Sequence, residues 1–118
     1  MNMFYKKAFE KSDSITVFTE PSEDLFSNHW LSCILGDPTK NGLTAEGIRV
    51  ALAADNIESR PLWKPMHLQP IFSTYPYYGS NVAQNLFENG LCLPSGSNLT
   101  DEDRTRIKIA IHTIFRHQ

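Results

Sequence analysis

The run Ser59-Arg60-Pro61-Leu62-Trp63-Lys64-Pro65-Met66-His67-Leu68-Gln69-Pro70 holds the side chains best suited to chemistry. Arg60 offers a planar fork of N–H donors that matches a carboxylate or a phosphate, and Lys64 adds a point charge close by. His67 can donate a hydrogen bond to an oxyanion or exchange a proton near neutral pH. Pro61, Pro65 and Pro70 fix their own φ and push the preceding residues out of the helical region, which predicts an extended, stiffened strap. Each side chain alone has a plainer reading: Arg60 in a surface ion pair, Lys64 solvated, His67 satisfied by backbone. Together they read as one wall of a pocket for an anionic ligand. Arg60, Lys64 and His67 are then expected on one side of the strap, with Trp63 turned partly into the domain.

Other residues carry weaker signals. Tyr75, Tyr77 and Tyr78 could stack on a sugar or base, or cover the rim of the core. His29 reads as structural, at the start of a strand. Cys33 and Cys92 each lie in an apolar run and read as buried free thiols, since two cysteines make neither a disulfide framework nor a zinc-ligand pattern. Asn98-Leu99-Thr100 fits a glycosylation pattern but reads as a helix entry. The sequence contains no glycine-rich phosphate loop, no His-Glu-x-x-His and no Gly-x-Ser-x-Gly.

The elements that must position the strap are legible around it. The 118 residues suffice for one core, with 41% hydrophobic and 20% charged residues. A formal net charge of −2 gives no nucleic-acid footprint. No apolar run approaches the ~20 residues of a membrane span, and residues 1–7 do not read as a signal peptide. A cytoplasmic protein is expected. Residues 2–11 suggest a short helix, and 15–19 and 29–35 suggest strands rich in β-branched and aromatic residues. Gly36-Asp37-Pro38 and Asn41-Gly42 mark turns. Thr44 begins a helix over 44–55, with Leu43 and Ile48 as a hydrophobic staple and Asn56 as a left-handed end. A short helix over 81–89, closed by Gly90, precedes a strand at 91–93. Thr100 with Asp103 opens the last helix, 101–116, whose Ile107, Ala110, Ile111 and Ile114 share a face, and Arg116 and His117 suit its negative end. The class expected is α+β: a small, mainly antiparallel sheet with helices packed on one face.

Four segments resemble one family: Asn28-His29-Trp30-Leu31, Gly47-Ile48-Arg49-Val50-Ala51-Leu52, the stretch Ile57 to Pro70, and Leu91-Cys92-Leu93-Pro94-Ser95-Gly96-Ser97-Asn98-Leu99-Thr100. In order and spacing they are similar to the C-terminal small domain of the DegT/DnrJ/StrS-type sugar-nucleotide aminotransferases, which use pyridoxal phosphate (PLP). The Trp-Lys-Pro-Met-His version most resembles members that aminate UDP-linked 4-keto-6-deoxy amino sugars. The resemblance implies transamination with glutamate as donor, in a homodimer with active sites at the subunit interface. It implies that residues 1–118 form a single aminotransferase small-domain unit, with the large PLP-binding domain absent. None of Lys6, Lys7, Lys11, Lys40, Lys64 or Lys108 stands in the family's cofactor-lysine context, so no PLP is expected on this chain alone. It makes Arg60, Lys64 and His67 substrate-binding, not catalytic. The partners implied are a nucleotide sugar and a large domain or homodimer mate. The alternative is a free-standing binding module or non-catalytic remnant, which the neighbouring reading frame would distinguish from a split enzyme.

Overall fold

The computed structural model describes residues 1–116. Four strands, β1 (Ile15–Val17), β2 (Ser32–Gly36), β3 (Arg60–Pro61) and β4 (Gly90–Leu93), form one antiparallel sheet in the order β1-β2-β4-β3. The helices are α1 (Asn2–Ala8), α2 (Pro38–Asn41), α3 (Ala45–Ala54), α4 (Val82–Asn89) and α5 (Asp101–Arg116). Two 3-10 turns, Met66–Leu68 and Pro70–Phe72, lie in the long connection between β3 and α4. The class is α+β, as the sequence predicts.

Strand alternation sorts the sheet into two faces. Ile15, Ile34, Leu91 and Leu93 turn toward Tyr5, Phe9, Ile48, Leu52, Ile107 and Ile111, which come from α1 or its C-terminal end, α3 and α5, and all are buried. The expected common face for the helices near 44–55 and 101–116 is this one. Thr16, Cys33, Leu35 and Cys92 have the opposite parity. Leu86 of α4 borders clefts shared with Thr16 and Leu35 and with Cys33, so this shorter helix flanks the second face.

Local chemistry explains the main boundaries. Thr44 Oγ1 accepts from Gly47 N at 3.0 Å, and Leu43 packs on the core beside buried Ile48, giving α3 its cap and staple. Asn56 is left-handed at φ 55. The exposed carbonyls behind it are closed from another helix, where Arg106 donates to Asp55 O at 2.6 Å and to Asn56 O at 3.0 Å. At α5, Thr100 N donates to Asp103 Oδ2 at 3.0 Å while Asp103 N donates to Thr100 Oγ1 at 3.2 Å, a reciprocal capping box. Helix α1 has no side-chain cap and is held by tertiary bonds: Asn2 Nδ2 donates to Phe18 O at 3.0 Å and the Tyr5 hydroxyl to Pro94 O at 2.8 Å.

Several expectations need correction. The strand expected over 29–35 begins at Ser32, because His29 adopts φ 47, which an extended strand excludes. The strand expected over 15–19 is assigned only to Val17, although Phe18 N still donates to Cys33 O at 2.9 Å. The turn between Gly36 and Gly42 contains the single-turn helix α2, where Asp37 accepts from Thr39 N. Gly90 ends α4 in an extended conformation and starts β4; a Cβ there would collide with the Leu62 side chain and the Leu86 carbonyl. The expected role of His117 lies outside the described residues.

Candidate functional site

The strap is not uniformly extended. Its first residues, Arg60 and Pro61, add an edge strand to β4, pairing with Cys92 and Leu91. Pro61 lacks an N–H, and an edge position tolerates that loss. After Pro65 the chain tightens into the 3-10 turn Met66–Leu68, and Pro70 starts the next one. The prolines therefore act as punctuation between an edge strand and two turns.

Arg60 and Lys64 both border an open cleft of about 740 Å³ on the second face of the sheet, together with Trp30, Trp63, Phe87 and Ser95. Arg60 is already engaged: Nε and Nη2 both donate to Glu58 Oε1, at 2.8 and 2.6 Å. Both partners are largely exposed, so the pair contributes little to stability and is easily exchanged. Lys64 is exposed, and its backbone carbonyl accepts from Gln69 Nε2 at 3.4 Å.

His67 does not border that cleft. It sits on the first 3-10 turn, with its ring stacked on Tyr77 at a centroid distance of 3.9 Å and an interplanar angle of 23°. Tyr77 is itself fixed by its hydroxyl, which donates to Ser80 O at 2.7 Å. The Nε2 atom of His67 is shielded from solvent without a hydrogen-bond partner, an unsatisfied state that costs free energy unless a ligand relieves it. Arg60 and Lys64 thus border one cleft, whereas His67 stands apart on the next turn. Trp63 corrects a second expectation: it is 69% exposed rather than turned into the domain. Its indole borders the cleft together with the 73%-exposed Trp30.

The other candidates resolve as follows. Tyr75 and Tyr78 are exposed and Tyr77 backs His67, so none covers the core. His29 is structural: its Nε2 lies 3.1 Å from Glu20 Oε1, which also accepts from Ser27 N. Backbone hydrogen bonds, and then the nearby His29, hold the Glu20 carboxyl below the usual range. Sequence reasoning missed the Tyr77–His67 stack and the Glu58 clamp on Arg60. The latter had a signal, a carboxylate two residues before the guanidinium. Among the described residues no His, Cys, Asp and Glu cluster could hold a metal ion, and no helix is long and apolar enough to cross a membrane.

The profile of the DegT/DnrJ/EryC1/StrS aminotransferase family matches residues 1–112. The chain belongs to this family. It is 40% identical over 113 residues to EpsN of Bacillus subtilis (strain 168), whose name assigns it as a pyridoxal phosphate-dependent aminotransferase; the match covers 92% of this chain and 28% of EpsN. It is 33% identical over 111 residues to GDP-perosamine synthase of Escherichia coli O157:H7, covering 94% of this chain and 29% of that enzyme. The fold matches the aminotransferase TlmJ of Streptoalloteichus hindustanus with a TM-score of 0.81 at 16% identity, over 98% of this chain and 30% of TlmJ. The chain therefore spans less than a third of the length of these relatives.

The aminotransferase family implies PLP. A lysine that bonds the cofactor needs a desolvated setting. Here Lys7, Lys11, Lys40, Lys64 and Lys108 are exposed and Lys6 is half-buried. What this chain does supply is a cationic, aromatic wall.

Proposed function

We propose that this chain is the C-terminal, substrate-facing domain of an aminotransferase that aminates a nucleotide-linked keto sugar, with glutamate as amino donor. The observation that carries the reading is the cleft on the open face of the sheet, where Arg60 and Lys64 stand among exposed tryptophans. Two cations there suit a diphosphate, and the indoles of Trp30 and Trp63 suit the flat base or the apolar face of a sugar. Arg60 exchanges Glu58 for the ligand anion, Lys64 adds charge, and His67, on the next turn of the strap, meets a part of the substrate that extends beyond the cleft. The relative GDP-perosamine synthase, by its name, supports the nucleotide-sugar class.

PLP, bound elsewhere in the complete enzyme, supplies the electron sink for amino transfer. On this reading residues 1–118 form one small domain, and the large PLP-binding domain or a homodimer mate covers the exposed aromatic surface that includes Phe26 and Tyr78. The enzyme works in the cytoplasm, toward amino sugars for polysaccharides. The test combines this chain with a PLP-binding large domain and assays amination of a UDP-linked 4-keto sugar. Lys64→Ala and His67→Ala should each slow the sugar half-reaction roughly ten- to a hundredfold, the worth of a charge-assisted hydrogen bond of about 1.5–3 kcal/mol. The glutamate half-reaction should be unchanged. Equal losses in both half-reactions, or none in either, would refute the reading.

A further inference from the structure

Cys33 and Cys92 are direct register partners on β2 and β4, and their sulfurs lie 3.6 Å apart. Both are free thiols. The pairing is of the kind that favours a bridge. Phe18 N donates to Cys33 O, so the peptide groups of Cys33 face β1 and the pair with Cys92 is a non-hydrogen-bonded one. In such pairs the Cα atoms are about 4.5 Å apart and the side chains converge, within the range a disulfide spans without moving the backbone. The pair also lies between two openings: Cys92 borders the strap cleft, Cys33 the neighbouring one, and Leu62 borders both. On its other side Cys92 pairs with Arg60, so the two sulfurs and the strap's first cation form one row across three strands.

We propose that Cys33 and Cys92 form a reversible cross-strand disulfide, a redox-modification site beneath the strap. The oxidant is a low-molecular-weight disulfide. One cysteine loses its proton to solvent and its sulfur attacks the reagent, forming a mixed disulfide and releasing one reagent thiolate. The second cysteine, also losing its proton, attacks the protein-side sulfur and expels the second reagent thiolate. The protein loses two electrons and two protons, and the reagent disulfide is reduced to two thiols. Burial, and then the adjacent Cys92 thiol, push the Cys33 thiol up to about 12. Thiolate is therefore scarce at neutral pH, and the first step is slow there.

The test equilibrates the folded chain with oxidised and reduced glutathione at mildly alkaline pH, with intact mass and thiol labelling as readouts. The expected product has lost both thiols together, is lighter by two hydrogens, carries no glutathione and is restored by dithiothreitol. Both tryptophans of the chain border the strap cleft, so their emission should change in step with the bridge. Cys33→Ser and Cys92→Ser should abolish the bridged species and the emission change. The same titration in urea guards against variants that fail to fold. The bridge should form at a lower ratio of oxidised to reduced glutathione in the folded wild-type chain than in the unfolded one. Stable single glutathione adducts, chain-to-chain dimers, or a bridge favoured only in urea would overturn the proposal.

Discussion

On one face of the sheet Ile34, Leu91 and Leu93 lie beneath α1, α3 and α5, and each is almost wholly removed from water. On the other, β2, β4 and β3 present Cys33, Cys92 and Arg60, and the last two border the cleft rimmed by Trp30 and Trp63. The contrast separates two kinds of hydrophobic residue that composition alone merges. Those on the closed face are periodic and hold the fold, whereas the tryptophans at the strap cleft sit in loops and leave their aromatic surface exposed. A loop that presents aromatic and cationic groups together is better suited to recognition than to stability.

The largest effect should come from the closed face. Ile34→Ala should cost about 2–5 kcal/mol of unfolding free energy in urea titrations, because the cavity lies between three helices and cannot collapse fully. A loss under half the lower bound would break the contrast. The open side has one tight point, and Gly90→Ala sharpens the comparison there. Its new methyl would meet the Leu62 side chain and the Leu86 carbonyl. The expected cost is about 1–3 kcal/mol, with altered tryptophan emission as Leu62 is pushed toward the cleft.

Thr100→Ala removes the hydroxyl half of the α5 capping box and should cost about 0.5–2 kcal/mol, measured by the same titration. Tyr5→Phe loses one hydrogen bond to Pro94 O, about 0.5–1.5 kcal/mol near neutral pH. It should also flatten the alkaline limb of the stability profile. Burial raises the Tyr5 hydroxyl well above the ordinary tyrosine range, so the folded chain keeps a proton that the unfolded chain surrenders. That contribution is complete below about pH 10 and falls as pH rises further. A variant with the same alkaline slope as wild type would locate the effect elsewhere. Trp63→Ala should be the mildest, within about ±0.5 kcal/mol, since its indole is exposed.

The sequence was most readable where a few neighbours decide the outcome. The caps at Thr44 and Thr100, the left-handed Asn56 and the stripe of α5 need only short-range geometry, and they stand where the residues predict. Strand β3 was not legible because two residues make no pattern, and only the presence of β4 beside them creates it. The start of β2 was misplaced because Glu20, nine residues earlier, draws His29 into a loop. For the site, the residue types on the strap were informative but their directions were not. Tyr77 reorients His67 and Glu58 claims Arg60, and neither contact follows from proline stiffness.

Helices α1 and α5 are far apart in the sequence but meet in the core. Phe9, next to α1, meets Phe115 of α5 edge-on at 5.7 Å between ring centroids, while the Tyr5 hydroxyl reaches across 89 residues to Pro94. During synthesis on the ribosome the contacts of this segment with Pro94 and α5 therefore form only after those residues emerge. Its aromatic side chains wait for α5, made long after α1, and such distant closures slow the search for the native state. Until then Tyr5 and Phe9 are available to a chaperone or to another nascent chain.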